Sequence, residues 1–148
     1  MTQITIAIGS DHAGYELKQQ LIEFAISKGY KTLDFGTDDT EPCDYPVVVP
    51  PVVEALRHNA AQYGVLVCGS GIGVDIVANR HRGMRSALCH TAEMAAISRE
   101  HNDANILSLG SKYISAHEAK EALVKFVTTP FSKEERHARR VGMMDTFM

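Results

Sequence analysis

Apolar residues fall in short β-branched runs that alternate with stretches of helical spacing. Ile4–Gly9 reads as a first strand, with Ser10 or Asp11 placed to cap a helix whose apolar stripe is Tyr15, Leu17, Leu21, Ile22 and Ala25. Lys28-Gly29 stops that helix, and Thr32–Phe35 forms a second strand before the polar loop Gly36–Asp44. Pro46–Asn59 carries valines at helical spacing, with Pro50 and Pro51 expected to break or kink it. Gly64–Cys68, Met84–Cys89 and Asn105–Gly110 read as three more strands. Between and after them, Val74–Arg80, Thr91–His101 (cap Thr91), Ala116–Thr128 (cap Ser115) and Ser132–Phe147 read as helices. Such alternation predicts an α/β fold, a three-layer α/β/α sandwich of Rossmann-like type around a five-stranded parallel sheet. No linker, repeat or low-complexity tract divides residues 1–148, which suits one domain.

Composition narrows the function classes. The net charge is -3 over 148 residues, so no global basic field favours nucleic acid. Three cysteines without CxxC spacing argue against a disulfide framework or a cysteine zinc site, and the seven histidines form no HExxH-type pattern. The start, Met1-Thr2-Gln3-Ile4, reads as the lead into a strand rather than a signal peptide, and no window has the length of a membrane span. A reducing, cytoplasmic setting follows as the expectation. His58, His117 and His137 are expected at the surface, and Met143, Met144 and Met148 read as packing or interface material.

In α/β sheets, ligands bind beyond the carboxyl ends of the strands. There this chain gathers Ser10-Asp11-His12, Cys68–Gly73, His90 and Ser111-Lys112. The richest segment is Cys68-Gly69-Ser70-Gly71-Ile72-Gly73, with glycines at alternate positions before a helix. Its N–H groups and the helix start suit an anion, either a phosphate or a developing oxyanion. Cys68 at the lip would feel the same field, which favours thiolate; an inert buried cysteine is the alternative. The GxGxG spacing fits neither a Walker A loop nor a dinucleotide fingerprint. His101, at a helix C-terminus, suits acid–base work or a simple C-terminal charge. Arg136 and Arg140, four apart, suit bidentate phosphate binding or a solvated basic face.

Taken together, Gly9–Gly14, Asp44-Tyr45-Pro46, Cys68–Gly73, Ala78-Asn79-Arg80, Ser98–Asn105 and Arg136-His137 with Arg140 resemble the type B ribose-5-phosphate isomerases. That family also includes the allose-6-phosphate and galactose-6-phosphate isomerases. The resemblance implies interconversion of ribose 5-phosphate and ribulose 5-phosphate in pentose phosphate metabolism, with no metal or organic cofactor. It implies Cys68 as base, Ser70 as the group moving a proton between two oxygens, and His101 as the ring-opening acid–base. Asp11, Tyr45 and Asn102 would hold hydroxyls or the developing oxyanion, and Gly69, Gly71, Ile72 and Gly73 would offer amides to that oxyanion. His12, Arg136 and Arg140 would grip phosphate, with Lys112 as a further contact. Members that lack the cysteine place a glutamate just after the last loop glycine. Here Val74 stands there, and Asp75, one residue late, receives no role. The resemblance also implies a homodimer or homotetramer whose sites are shared, His101 and Asn102 coming from the neighbour. Within enzymes, isomerisation of a hexose 6-phosphate (allose or galactose 6-phosphate) is the alternative; a non-catalytic flavodoxin-like or phosphoacceptor module is the rival class.

Overall fold

The computed structural model describes residues 3–147, so Met1, Thr2 and Met148 lie outside the described residues. The strands are β1 (Thr5–Ser10), β2 (Lys31–Gly36), β3 (Tyr63–Cys68), β4 (Ser86–Leu88) and β5 (Ile106–Gly110). The helices are α1 (Tyr15–Ser27), α2 (Tyr45–Arg57), α3 (Ile72–Asn79), α4 (Ala92–Asn102), α5 (Ala116–Thr128) and α6 (Glu135–Met143). All pairings are parallel, in the order β2-β1-β3-β5-β4. Two apolar layers flank the sheet. One joins Ile6, Ile8, Val65 and Leu107 to α1, α4 and α5; the other joins Ala7, Leu66 and Ile106 to α2 and α3. The expected sandwich with a five-stranded parallel sheet is therefore present. Among the described residues, no helix is long and apolar enough to cross a membrane.

Four local expectations change. Helix α2 runs unbroken through Pro50 and Pro51. Val48, Val49, Val52 and Val53 are buried on one face, while both prolines are exposed on the other, where carbonyls left without an N–H partner meet water. Strand β4 shrinks to three residues because it lies at the sheet edge, paired only with β5. Before it, Asn105 accepts the Arg85 N–H at 2.8 Å. The last helix begins at Glu135 rather than Ser132, since Lys133 has φ 60°, and it ends in a 3-10 turn, Met144–Phe147. On α1, the buried face includes Lys18 as well as Leu17, Leu21 and Ala25, whereas Tyr15 and Ile22 are half-buried. The Lys18 ammonium donates to the Asp34 carboxylate (2.5 Å) and to the carbonyls of Phe35 (3.1 Å) and Thr37 (2.9 Å), which uses its three donors.

Topology sets the location of the site. From β1 the chain steps outward to β2, then returns to place β3 on the other side of β1. At that reversal the two loops leaving β1 and β3 diverge to opposite faces and open a crevice at the carboxyl rim.

Candidate active site

Three loops meet at this rim and are stitched together by backbone bonds. The Asp11 N–H donates to the Val67 carbonyl (3.3 Å). The Ser111 and Lys112 N–H groups donate to the carbonyls of Cys68 (2.9 Å) and Gly69 (3.0 Å). The Ser111 hydroxyl donates to the Ala13 carbonyl at 2.8 Å. A cleft of about 330 Å³ opens above them, lined by Asp11, Ala13, Tyr45, Cys68, Gly69, Ser70, Gly73, Lys112 and Tyr113. Three larger clefts lie elsewhere: two of about 370 Å³, one between edge strand β4 and the C-terminal turn and one along the start of α2, and one of about 560 Å³ beside the starts of β1 and β2. None touches Cys68.

Cys68 closes β3 and is buried, and its Sγ accepts the Gly71 N–H at 3.2 Å. A backbone donor is thus aimed at the sulfur. Ser70 Oγ accepts the Ile72 N–H at 3.2 Å, and α3 starts two residues earlier than the sequence pattern suggests, directly on the glycine loop. Gly71 has φ 77°, and a Cβ there would lie 2.6 Å from Leu88 and 2.8 Å from the Leu109 backbone. At Gly73 a Cβ would lie 2.7 Å from the Tyr45 ring, so this glycine lets the aromatic wall stand against the loop. Asp11 is buried, and its Oδ1 accepts the Gly14 N–H at 3.1 Å while the residue lines the cleft. The capping role and the cleft-facing role of Asp11 therefore coexist. His12 is half-buried outside the cleft lining, its Nδ1 3.1 Å from the Cys43 N and 3.2 Å from the Cys43 O. Ile72 is exposed at the first turn of α3. Tyr113, exposed at the mouth, is a lining residue that sequence reasoning missed. An aromatic residue three positions beyond a strand's carboxyl end was the available signal.

Asp75 and Cys89 are otherwise engaged. The Ser86 hydroxyl donates to Asp75 Oδ1 at 2.7 Å and lies 2.8 Å from the Ser108 hydroxyl, joining α3 to the sheet edge. Burial raises the Asp75 pKa, partly offset by hydrogen bonds from Ser86 and Ser108. Burial pushes the Cys89 thiol up to about 11, which leaves it protonated and unreactive at neutral pH.

The remaining predicted residues gather elsewhere. A crossover helix in a parallel sheet starts at the carboxyl rim and ends at the amino rim. His101 and Asn102, in the last turn of α4, therefore lie at the rim opposite Cys68. The strands between them have three to six residues, and five or six residues span roughly 17–20 Å. Asn102 lines the cleft beside β4 with Asn79 and Arg85. Arg136 and Arg140 are exposed on α6, with Arg136 3.1 Å from Glu134. His137, expected at the surface, is buried instead, because α6 lays that face on α4. Its ring stacks on His101 at 4.4 Å between centroids, and its Nδ1 lies 2.7 Å from the Ser132 hydroxyl. Burial, then the Arg136 charge, lowers the His137 pKa. One chain thus brings Asp11, Tyr45, the Cys68 loop and Lys112 together, and holds His101, Asn102, Arg136 and Arg140 apart from them.

Comparison with known proteins agrees over nearly the whole length. A model of the ribose/galactose isomerase family matches residues 6–144. Ribose-5-phosphate isomerase B of Mycobacterium tuberculosis is 36% identical, over 97% of this chain and 90% of that protein. The crystal structure of a ribose 5-phosphate isomerase from Thermotoga maritima superposes with a TM-score of 0.95 at 42% identity, covering 98% of this chain and 99% of that one. Type B ribose 5-phosphate isomerase from Trypanosoma brucei gives 0.95 at 32% identity, covering 99% of this chain and 100% of that one. With the cysteine–glycine loop, its cleft and the second polar cluster all within the matched residues, this chain belongs to the ribose/galactose isomerase family.

Proposed function

We propose that the protein interconverts D-ribose 5-phosphate and D-ribulose 5-phosphate through an enediolate, with Cys68 as the base. The observation that carries this reading is the position of Cys68: its sulfur sits under a loop amide at a cleft also lined by Asp11, Ser70 and Lys112. An aldose–ketose isomerisation needs a base at C2 and donors for the oxygen that becomes anionic, and such donors act best when already fixed. Cys68 removes the C2 proton and returns it to C1. The amides of Gly69 to Gly73 hold the developing oxyanion, and Ser70 carries a proton between O1 and O2. Asp11 and Tyr45 orient hydroxyls. His12, Arg136 and Arg140 grip the phosphate, assisted by Lys112.

His101 opens the furanose and Asn102 holds a hydroxyl, both from a second subunit. Their position at the opposite rim of their own chain supports a shared site. So does unpartnered apolar surface near the sheet edge: Ile72 and Ile76 on α3, and Met94 and Ile97 on α4, are all exposed. A homodimer, alone or paired into a tetramer, would cover it.

The test is isomerisation of ribose 5-phosphate by the purified protein with EDTA present, with allose 6-phosphate and galactose 6-phosphate in parallel. Pentose turnover is the expected result. Turnover of a hexose phosphate alone would keep the chemistry and change the substrate. A folded oligomer silent on all three would refute the reading.

A further inference from the structure

We propose that His137 is a positioning residue for His101, holding the ring-opening imidazole in one orientation as it enters the neighbouring cleft. The role rests on the function proposed above. His101 occupies the last turn of α4 and is half-exposed, so its ring would otherwise sample several rotamers. His137 supplies a plate for it. The two rings are 4.4 Å apart and 29° from parallel, and His137 is itself buried. The plate is tied to α4 through Ser132. Its Nδ1 lies 2.7 Å from the Ser132 hydroxyl, and the Ser132 N–H donates to the Glu100 carbonyl at 3.0 Å, the residue before His101. The stacked pair and the helix end that carries it are therefore one unit.

Charge reinforces the division of labour. Arg136 and Arg140 on α6, Glu134 at its N-cap, and His101 on α4 are the charged and titratable groups acting on His137. Burial and the guanidiniums favour a neutral His137, which leaves His101 as the acid–base group of the pair. Ring opening needs such a group. The anomeric hydroxyl loses its proton, the C1–O4 bond breaks, and O4 gains a proton.

Two reactions separate this role from plain structural support. Isomerisation of ribose 5-phosphate starts from a closed ring. Exchange of the C1 hydrogen of ribulose 5-phosphate with solvent deuterium does not, because its O5 is phosphorylated and no furanose can form. In the full-length oligomer, His137→Ala should lower kcat/KM for ribose 5-phosphate by about 10- to 100-fold. The C1 exchange rate should change less than about 3-fold. His137→Phe, which keeps an aromatic plate, should recover most of the loss and serves as the readout if the alanine variant fails to fold. Equal loss in both reactions, no loss in either, or a phenylalanine variant as impaired as the alanine one would overturn the proposal. Wild-type protein that processes neither compound would refute the underlying function, and this role with it.

Discussion

The two polar regions of this molecule rest on different supports. Around Cys68 the candidate groups include backbone amides, and three loops are locked to one another and to the sheet by main-chain hydrogen bonds. On α4 and α6 they are side chains at helix ends and on an exposed helix face, held by a ring stack and by ion pairs such as Arg136–Glu134. Amide donors must be fixed before the reaction to stabilise charge, so they belong where a sheet fixes them. Long basic side chains act at a distance from their own backbone, so a helix surface that faces a neighbour can carry them. The sheet's depth separates the two regions in one chain, and that separation makes each look incomplete.

The sharpest way to break this comparison is Cys68→Ala. Turnover of ribose 5-phosphate should fall by about 10³-fold or more with KM changed only a few-fold, measured by steady-state kinetics. Under the proposed function this removes the base and leaves the rest of the cleft in place. Cys89→Ala, in contrast, should leave kcat intact. A Cys68 variant of normal rate would move the base elsewhere.

Mixing sharpens the comparison further. Cys68→Ala and His101→Asn proteins are each expected to be nearly inactive alone. In a two-fold dimer with shared sites, each mixed dimer carries one intact site, so random subunit exchange should restore about a quarter of wild-type activity. No recovery, after mass spectrometry has verified exchange, would place both residues in one subunit's site.

Gly71→Ala probes how rigidly the loop is held. A side chain at φ 77° against Leu88 and the Leu109 backbone should cost roughly 1–3 kcal/mol, lowering Tm by several degrees, and activity should fall with it. An unchanged Tm would mean that the loop can shift freely.

The smallest effect concerns the helix cluster. The native pKa of His137 lies below its ordinary 6.5. Above pH 6.5 both native and unfolded forms are neutral there, and this group leaves stability unchanged. Below it the unfolded chain binds a proton that the native state resists, so stability falls as pH drops through 6.5 toward the native value. His137→Phe should flatten that decline in a Tm series from pH 8 to pH 5.5.

Some of this architecture is local and some is not. Hydrophobic spacing, Thr91 and Ser115 as caps, and the Cys68–Gly73 loop each act within a few residues, and each was legible. Pro50 and Pro51 misled because their cost is local, whereas the valines beneath them gain from packing on the sheet. Lys18 sat unremarked beside the apolar stripe because its partners, Asp34, Phe35 and Thr37, come from β2 and the loop beyond it. His137 read as a surface residue because its burial depends on α6 docking against α4.

By itself, the sequence determined the alternation of strands and helices, the glycine loop with its cysteine, and the residue types available for chemistry. All are properties of neighbours along the chain. Tertiary structure alone decided that β5 lies between β3 and β4, that the β1 and β3 loops open one crevice, and that Cys68 and His101 stand at opposite rims. Those outcomes come from pairing and packing between segments far apart in sequence, where no local pattern specifies the partner.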